Sequence, residues 1–428
     1  MTYDETVEYL FNCAPPFQQV GGAGYKEGLA TSIALDNHLG NPHRRYRTIH
    51  VAGTNGKGST SHTLAAILQA AGYKVGLYTS PHLIDFRERI RVNGEPASKK
   101  FVVDFVERER HFFEPLEPSF FELTTAMAFT YFAQQEVDIA VIEVGLGGRL
   151  DCTNIITPDL CIITNISPDH TQFLGNTLAQ IASEKAGIIK KGVPVVIGEA
   201  TEETRKIFTS KATSVEAPII FAEDDSYILQ ATHCSKGIEY TTRNHERITG
   251  ELRGNYQIKN ANTILAATNV LLKKHYKITT ADINTGFANV CSLTGFMGRW
   301  QTIRNTPRTI CDAGHNVGGI KEVTEQLARE QYTTLRIVFG MVGDKDIESV
   351  LAMMPRGAIY YFTQASIKRA LPADKLREMA RAHGLLGSSH PDVSTALAAA
   401  TNDSSAGDLI FVGGSCFIVA DLLASIFK

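Results

Sequence analysis

Residues 46–80 read YRTIHVAGTNGKGSTSHTLAAILQAAGYKVGLYTS, and their pattern decides the fold. Residues 46–52 are strand-like, 53–58 form a glycine-rich loop, 60–71 have helical character, and 74–79 are a short apolar strand. Strand, loop, helix and strand make a βαβ unit, and such units build parallel sheets. Glycines 53, 56 and 58 let the backbone approach a phosphate with no Cβ in the way. Successive N–H groups and the helix N-terminus favour an anion there. Lys57 adds a point charge for the β- and γ-phosphates. The spacing departs from G-x-x-x-x-G-K-[ST], because Gly58 intervenes before Ser59.

Outward from this unit, further strands are expected at 137–144, 159–165 and 193–197, with helices between them. Residues 218–252 change character: 219–221, 227–231, 237–242 and 247–252 read as short strands of a small β-subdomain. Helices follow at 258–273 and 281–290. Near 293–300 the alternation restarts, with strands at 309–312, 335–340, 358–363 and 409–412. The expected class is α/β. A P-loop domain, residues 1–296, has a central, mostly parallel sheet and the β-subdomain at about 218–252. A smaller Rossmann-like α/β domain follows, residues 297–428.

The chain has 428 residues, 43% hydrophobic and 20% charged, the balance of a soluble globular protein large enough for two or three domains. A formal net charge of −3 offers no polybasic field for nucleic acid or an anionic membrane. No apolar run reaches the length of a membrane span, and the acidic N-terminus lacks a signal-peptide core. Seven scattered cysteines with no C-x-x-C pair argue against a disulfide framework or thiolate zinc site, and for a reducing cytoplasm.

In an open parallel sheet, ligands bind beyond the carboxyl ends of the strands. Ser80 follows the strand at 74–79, Glu143 follows the run Ile139-Ala-Val-Ile142, and His170 follows Cys161-Ile-Ile-Thr164 within NISPDH. With Lys57 they are expected to converge on one edge, where hydroxyl and carboxylate beside a triphosphate suit Mg2+. Imidazole is an unusual Mg2+ donor, so His170 reads equally well as a helix-capping or core residue. Glu143, on an apolar strand beside Gly145, Gly147 and Gly148, would be costly to leave unpaired.

Residues 177–191, TLAQIASEKAGIIKK, read as a helix with Asn176 or Thr177 as N-cap and Gly192 just past its end. Lys185 falls on the apolar face, four residues from Ile181 and from Ile189. A buried amine tends toward its neutral form, and a neutral amine reacts with CO2 to give a carbamate, a carboxylate-like metal ligand. Periodicity alone favours a plainer reading, in which Lys185 snorkels or pairs with an acid. In the second domain, Asp312 and His315 of DAGHN lie at a strand end, and Arg299 of MGRW at the proposed hinge is a planar donor for phosphate oxygens. All three read equally as turn and linker residues. The loop GMVGDKD, residues 340–346, has no role from its chemistry alone.

Together these segments resemble the folylpolyglutamate synthase/dihydrofolate synthase family, a branch of the Mur-ligase-like amide ligases. The resemblance rests on GGAGYKEGL (21–29), LGNP (39–42), HVAGTNGKGST (50–60), TSPHL (79–83), SFFELT (119–124), EVGLGGRLDCTN (143–154), TNISPDHTQFLGNT (164–177), IASEKAGIIK (181–190), MGR (297–299) and DAGHN (312–316). It implies an ATP-dependent, ADP-forming ligase that joins L-glutamate to dihydropteroate or reduced folates through an acyl phosphate. ATP would lie against Thr54, Asn55, Gly56, Lys57, Gly58, Ser59, Asn260, Arg299 and Asp312. Two Mg2+ ions would be held by Ser80, Glu143, His170 and a carbamylated Lys185. Lys57, Lys185, Asp312 and His315 would be catalytic. The pterin or folate would meet Lys26, Gly28, Phe121 and Asp151, with Phe121 stacking on the ring.

The family's second-domain motif usually reads D-G-A-H-N-P, but here it is DAGHNV. Its H-Q-x-x-N begins here with Tyr256. A cytoplasmic monomer with small-molecule substrates is expected. The alternatives are a cell-wall Mur-type amide ligase, which usually has Thr where Gly58 stands, and a nucleotide-dependent binding module without ligation.

Overall fold

The computed structural model describes residues 1–13, 28–245, 247–343 and 345–426. The chain forms two compact units. The first comprises Met1–His82, Phe86–Glu251 and Tyr256–Phe296, and the second Leu83–Asp85, Leu252–Asn255 and Met297–Lys428. The short excursions at 83–85 and 252–255 belong with the second unit although each is flanked in sequence by the first.

Among the described residues the first unit has eleven strands: β1 (Arg47–Ala52), β2 (Val75–Tyr78), β3 (Ile90–Val92), β4 (Glu95–Pro96), β5 (Ile139–Glu143), β6 (Leu160–Ile163), β7 (Val195–Ile197), β8 (Ile219–Phe221), β9 (Ile228–Cys234), β10 (Gly237–Thr242) and β11 (Ile248–Gly250). Eight form one sheet in the order β4-β3-β2-β5-β1-β6-β7-β8. Six strands, from β2 to β8, run parallel, and β3 and β4 are antiparallel at one edge. β1 is central. Its register sets Val51 against Glu143 on one side and Ala52 against Ile163 on the other. Ile49, Val51, Val141 and Ile162 are fully buried, the near-continuous apolar pattern of strands covered on both faces.

Helices supply that cover. On one face lie α1 (Lys57–Ala70) and, further along the chain, the helices at 256–273 and 280–288, contributing Leu64, Ile67, Leu68, Ile264, Leu265 and Ile283. On the other face lies α2 (Phe120–Gln134), with Phe129 and Phe132 against Ala140 and Ile142. Residues 59–68 of α1 are all buried, so the helix is a core element with no solvent-facing side over that stretch. Ser119 and Glu122 form a capping box that starts α2. The short α3 (Thr171–Leu174) and α4 (Leu178–Ala186) follow β6, and Thr177 and Gln180 cap α4 in the same way. The two later helices named on that first face are α5 (Tyr256–Lys273) and α6 (Thr280–Ala288).

Two sequence expectations need correction. The helix expected over 177–191 ends at Ala186. Gly187 packs so close to Arg149 that an added Cβ would stand 2.3 Å from its Cα, and the chain turns there. Ile188 and Ile189 stay buried through that turn. The strand at 219–221 is not part of the β-subdomain: β8 pairs in parallel with β7 at the edge of the large sheet. The small antiparallel sheet is β11-β10-β9.

The second unit has one six-stranded sheet, made of β12 (Gln301–Asn305), β13 (Arg308–Asp312), β14 (Leu335–Phe339), β15 (Ile359–Phe362), β16 (Leu386–Ser389) and β17 (Leu409–Gly413). Its order is β12-β13-β17-β14-β15-β16, with β12 antiparallel and the rest parallel. Separate apolar clusters cover its two faces, one including Ile320 of α7 (Val317–Leu327) and the other Ile418 and Leu422 of α8 (Cys416–Ile426). The architecture is thus α/β, a mixed and mostly parallel sheet with a smaller C-terminal α/β unit. Among the described residues no helix is long and apolar enough to cross a membrane.

Candidate active site

The loop after β1 is wedged between the end of β6 and α5. Gly53 has φ +143°, and a Cβ there would stand 1.8 Å from Thr164 Oγ1. Gly56 has φ +82°, and its Cβ would meet Asn260 Oδ1 at 2.3 Å. No L side chain fits either place without displacing the loop. The loop is tied down further by the segment after β6. Thr54 N donates to Asn165 O at 2.9 Å, Asn55 N to Asn165 Oδ1 at 3.0 Å, and Thr164 Oγ1 to Asn55 O at 2.6 Å. Thr54 Oγ1 donates to Ser167 O at 3.1 Å and Asn55 Nδ2 to Ser167 Oγ at 3.3 Å. The side chains of Thr54 and Asn55 therefore shape the loop. At the start of α1, Ser59 Oγ accepts from Gln257 Nε2 at 3.1 Å, and Gln257 Oε1 accepts from Asn260 Nδ2 at 2.9 Å. Tyr256 heads this helix where the resembled motif has histidine.

Two lysine amines share one carbonyl here. Lys57 Nζ donates to Gly53 O and Thr54 O, each at 3.1 Å, and Lys185 Nζ donates to Gly53 O at 3.0 Å. Lys185 is 5% exposed, so it does not snorkel. Burial, and then the charge of Lys57, pull its amine from 10.5 down to about 7, while Asp169 and Asp151 pull the other way.

Glu143 ends β5 and is buried. Its Oε2 accepts from Ser80 N at 3.2 Å and lies 4.0 Å from where a Cβ on Gly58 would be. Glu143, Ser80 and the loop are thus brought together. His170 stands at φ +49° as N-cap of α3, its Nε2 3.9 Å from Asp169 Oδ1. Among the described residues no three His, Cys, Asp or Glu side chains group to hold a metal. A buried carboxylate beside a phosphate loop, with a serine next to it in space, offers the hard oxygen donors Mg2+ takes, and they need phosphate oxygens and water to complete an octahedron. The residues fit a metal that arrives with its nucleotide.

Phe121 and Asp151 meet at Gly145, where a Cβ would stand 2.9 Å from Phe121 Cε1 and 3.3 Å from Asp151 Oδ2. Asp151 is buried; Leu146 N donates to Oδ2 at 2.8 Å, and Thr153 N to Oδ1 at 3.0 Å. Burial raises its carboxyl above the ordinary range, and the Thr153 hydroxyl and the backbone donors oppose this. Thr153, which the sequence reading did not single out, is the residue that orients Asp151. Gly28 has φ +104° with open space around it. Lys26 lies outside the described residues.

In the second unit, Asp312 ends β13 and is 2% exposed. It accepts from Trp300 N and from Gly314 N, both at 2.8 Å, so it fixes the turn at 298–300 against the loop at 313–316. Arg299 Nη1 donates to Gly298 O at 3.1 Å, His315 Nδ1 lies 3.1 Å from Ala313 O, and Asn316 caps α7 through Gly319 N at 2.8 Å.

A phosphate loop at the carboxyl edge of a parallel sheet, an adjoining buried carboxylate and a separate α/β unit define an ATP-dependent ligase of the Mur type. Residues 51–270 match the Mur ligase middle domain, and residues 298–416 the Mur ligase glutamate ligase domain. The chain belongs to the folylpolyglutamate/dihydrofolate synthase family of these ligases. It is 32% identical to the dihydrofolate synthase/folylpolyglutamate synthase of Bacillus subtilis (strain 168), over 93% of this chain and 95% of that protein. The structure of E. coli FolC in complex with DHPP and ADP matches it with a TM-score of 0.86 at 30% identity, covering 100% of this chain and 98% of that one. Mycobacterium tuberculosis folylpolyglutamate synthase complexed with ADP matches at a TM-score of 0.88 and 28% identity, with the same coverage.

Proposed function

We propose that this ligase adds L-glutamate to dihydropteroate and to reduced folates, releasing ADP and phosphate. The observation that carries the reading is the meeting of Lys57, Lys185, Ser80 and Glu143 around one glycine loop. The substrate carboxylate attacks the γ-phosphorus of ATP, giving an acyl phosphate and ADP. The amine of glutamate then attacks the acyl carbon and displaces phosphate, leaving an amide and releasing a proton. Lys57 and the N–H groups of 56–59 neutralise charge on the transferring phosphoryl group. Ser80, Glu143 and His170 would hold Mg2+, which would supply further charge neutralisation for the phosphates.

Lys185 is proposed to carry a carbamate. An amine near 7 is substantially neutral at neutral pH, and it takes up CO2 with loss of one proton to become an oxygen donor for the metal. Asn260 and the 54–59 loop are assigned to ATP. Arg299, Asp312 and His315 are assigned to nucleotide and catalytic roles carried by the second unit. Phe121, Asp151, Gly28 and Lys26 are assigned to the pterin end of the acceptor. The working form is proposed to be a cytoplasmic monomer.

The test is glutamate-dependent ADP release, measured separately with dihydropteroate and with tetrahydrofolate. Both acceptors are expected to turn over, and Lys57→Ala to abolish the signal while the protein stays folded. Turnover indifferent to glutamate and acceptor, or near-normal turnover in Lys57→Ala, would overturn the reading.

A further inference from the structure

β1 carries a histidine that the chemistry above does not use. His50 is 0% exposed, three residues before the phosphate loop, and its Nε2 lies 2.8 Å from Thr153 Oγ1. Thr153, also 0% exposed, donates its own hydroxyl to Asp151 Oδ1. A carboxylate only accepts, so the Thr153 proton points to Asp151 and the hydroxyl oxygen accepts from His50. The imidazole must then be the Nε2–H tautomer with Nδ1 bare. Nδ1 is buried with no hydrogen-bond partner among the described residues. That orphan decides the direction of the chain. Running it backwards, with a protonated Asp151 donating to Thr153 and Thr153 to Nε2, would put the ring proton on Nδ1 and bury an unpaired donor. Charging the ring would do the same, and burial, with Lys190 adding to it, holds the imidazole down at about 3.

We propose that His50 is a positioning residue for the pterin end of the acceptor: as a fixed Nε2–H donor acting through Thr153, it locks Asp151 in its hydrogen-bond-accepting form beside Phe121. The ligand group this selects is an N–H donor on a flat heterocycle. Two Thr153 donors occupy Oδ1, while Oδ2, on the side of Gly145 and Phe121, accepts from Leu146 N and keeps acceptor capacity. The inference rests on the assignment of Asp151 to the pterin.

Two measurements test it. Nitrogen NMR of the unsubstituted protein labelled at histidine reports the tautomer directly. His50 is expected neutral and protonated at Nε2, and an Nδ1–H or charged ring overturns the proposal. In kinetics, Thr153→Val and His50→Leu are expected to raise KM for dihydropteroate about tenfold or more, with KM for ATP and for glutamate within about twofold, and His50→Gln, which keeps a donor, to recover most of the loss. Equal losses toward ATP would mark His50 as mere support for the loop and overturn the proposal. Asp151→Asn separates the two layers. If it raises the pterin KM while Thr153→Val and His50→Leu do not, the relay is wrong and the Asp151 assignment stands. If Asp151→Asn leaves that KM unchanged, the assignment fails and the proposal falls with it.

Discussion

Replacing Lys185 with methionine is expected to make the protein more stable and inactive at once. The side chain is 5% exposed, and its amine falls from 10.5 in the unfolded chain to about 7 in the folded one. Holding the ammonium therefore costs the folded state about 4 kcal/mol near pH 7, at about 1.4 kcal/mol for each tenfold change. Methionine is of similar length, fills the space and carries no charge. Against this gain stands the charge-assisted bond to Gly53 O, worth about 1.5–3 kcal/mol. That carbonyl is not orphaned, because Lys57 still donates to it at 3.1 Å. The difference leaves Lys185→Met more stable by about 1–2 kcal/mol in ligand-free, CO2-free buffer. The sign with pH is fixed. A lysine whose folded value is depressed carries its full penalty below the folded value and loses it as pH rises toward the unfolded one. Between about pH 7 and pH 9 the wild type should thus recover about 2 kcal/mol relative to the variant, which cancels the gap. The assay is denaturant unfolding followed by far-ultraviolet circular dichroism. Fluorescence of the single tryptophan, Trp300, reports the second unit separately. A variant less stable than wild type near neutral pH, or a gap that does not move with pH, would refute the account of a strained buried amine.

Two further perturbations probe the loop and the metal. Gly56→Ala adds a Cβ 2.3 Å from Asn260 Oδ1 at φ +82°, so a stability loss of about 1–2 kcal/mol and a KM for ATP raised about tenfold are expected in denaturation and initial-rate measurements. Unchanged kinetics would show that the loop tolerates the displacement. Glu143→Gln keeps the shape and an acceptor for Ser80 N but removes the charge, and should raise the Mg2+ concentration for half-maximal ADP release about tenfold or more. An unaltered Mg2+ dependence would remove Glu143 from the metal site.

The sequence made β1, its loop and α1 legible because the information is local: an apolar run, glycines, then a buried helix. It made Ser80 and Glu143 legible because both stand where a strand stops, and strand ends are where a parallel sheet presents ligands. Other features depend on partners far along the chain. Nothing in Ile219-Ile-Phe221 says which sheet edge will accept it. The end of α4 at Ala186 follows from the close approach of Gly187 to Arg149. Periodicity put Lys185 on the apolar face but left its surroundings open, because the carbonyl that receives it is 132 residues away. The segments Leu83–Asp85 and Leu252–Asn255 join the second unit for reasons no local pattern carries.

The convergence itself follows from register more than from any motif. With Val51 paired to Glu143 and Ala52 to Ile163, the residues that follow the strands, Gly53, Val144 and Thr164, leave the sheet within one residue of the same level. The three loops that start there therefore begin side by side. Thr164 and Asn165 accordingly close on the glycine loop, and Glu143 comes to face Gly58. The same pairing explains the relay one strand position earlier. His50 pairs with Ile142 and Cys161 in the middle of the sheet and is fully buried, and its Nε2 meets Thr153, which lies beyond β5 beside Asp151. A one-residue slip of β1 would turn His50 to the opposite face of the sheet and break both arrangements together, which ties the phosphate loop and the Asp151 corner to a single structural decision.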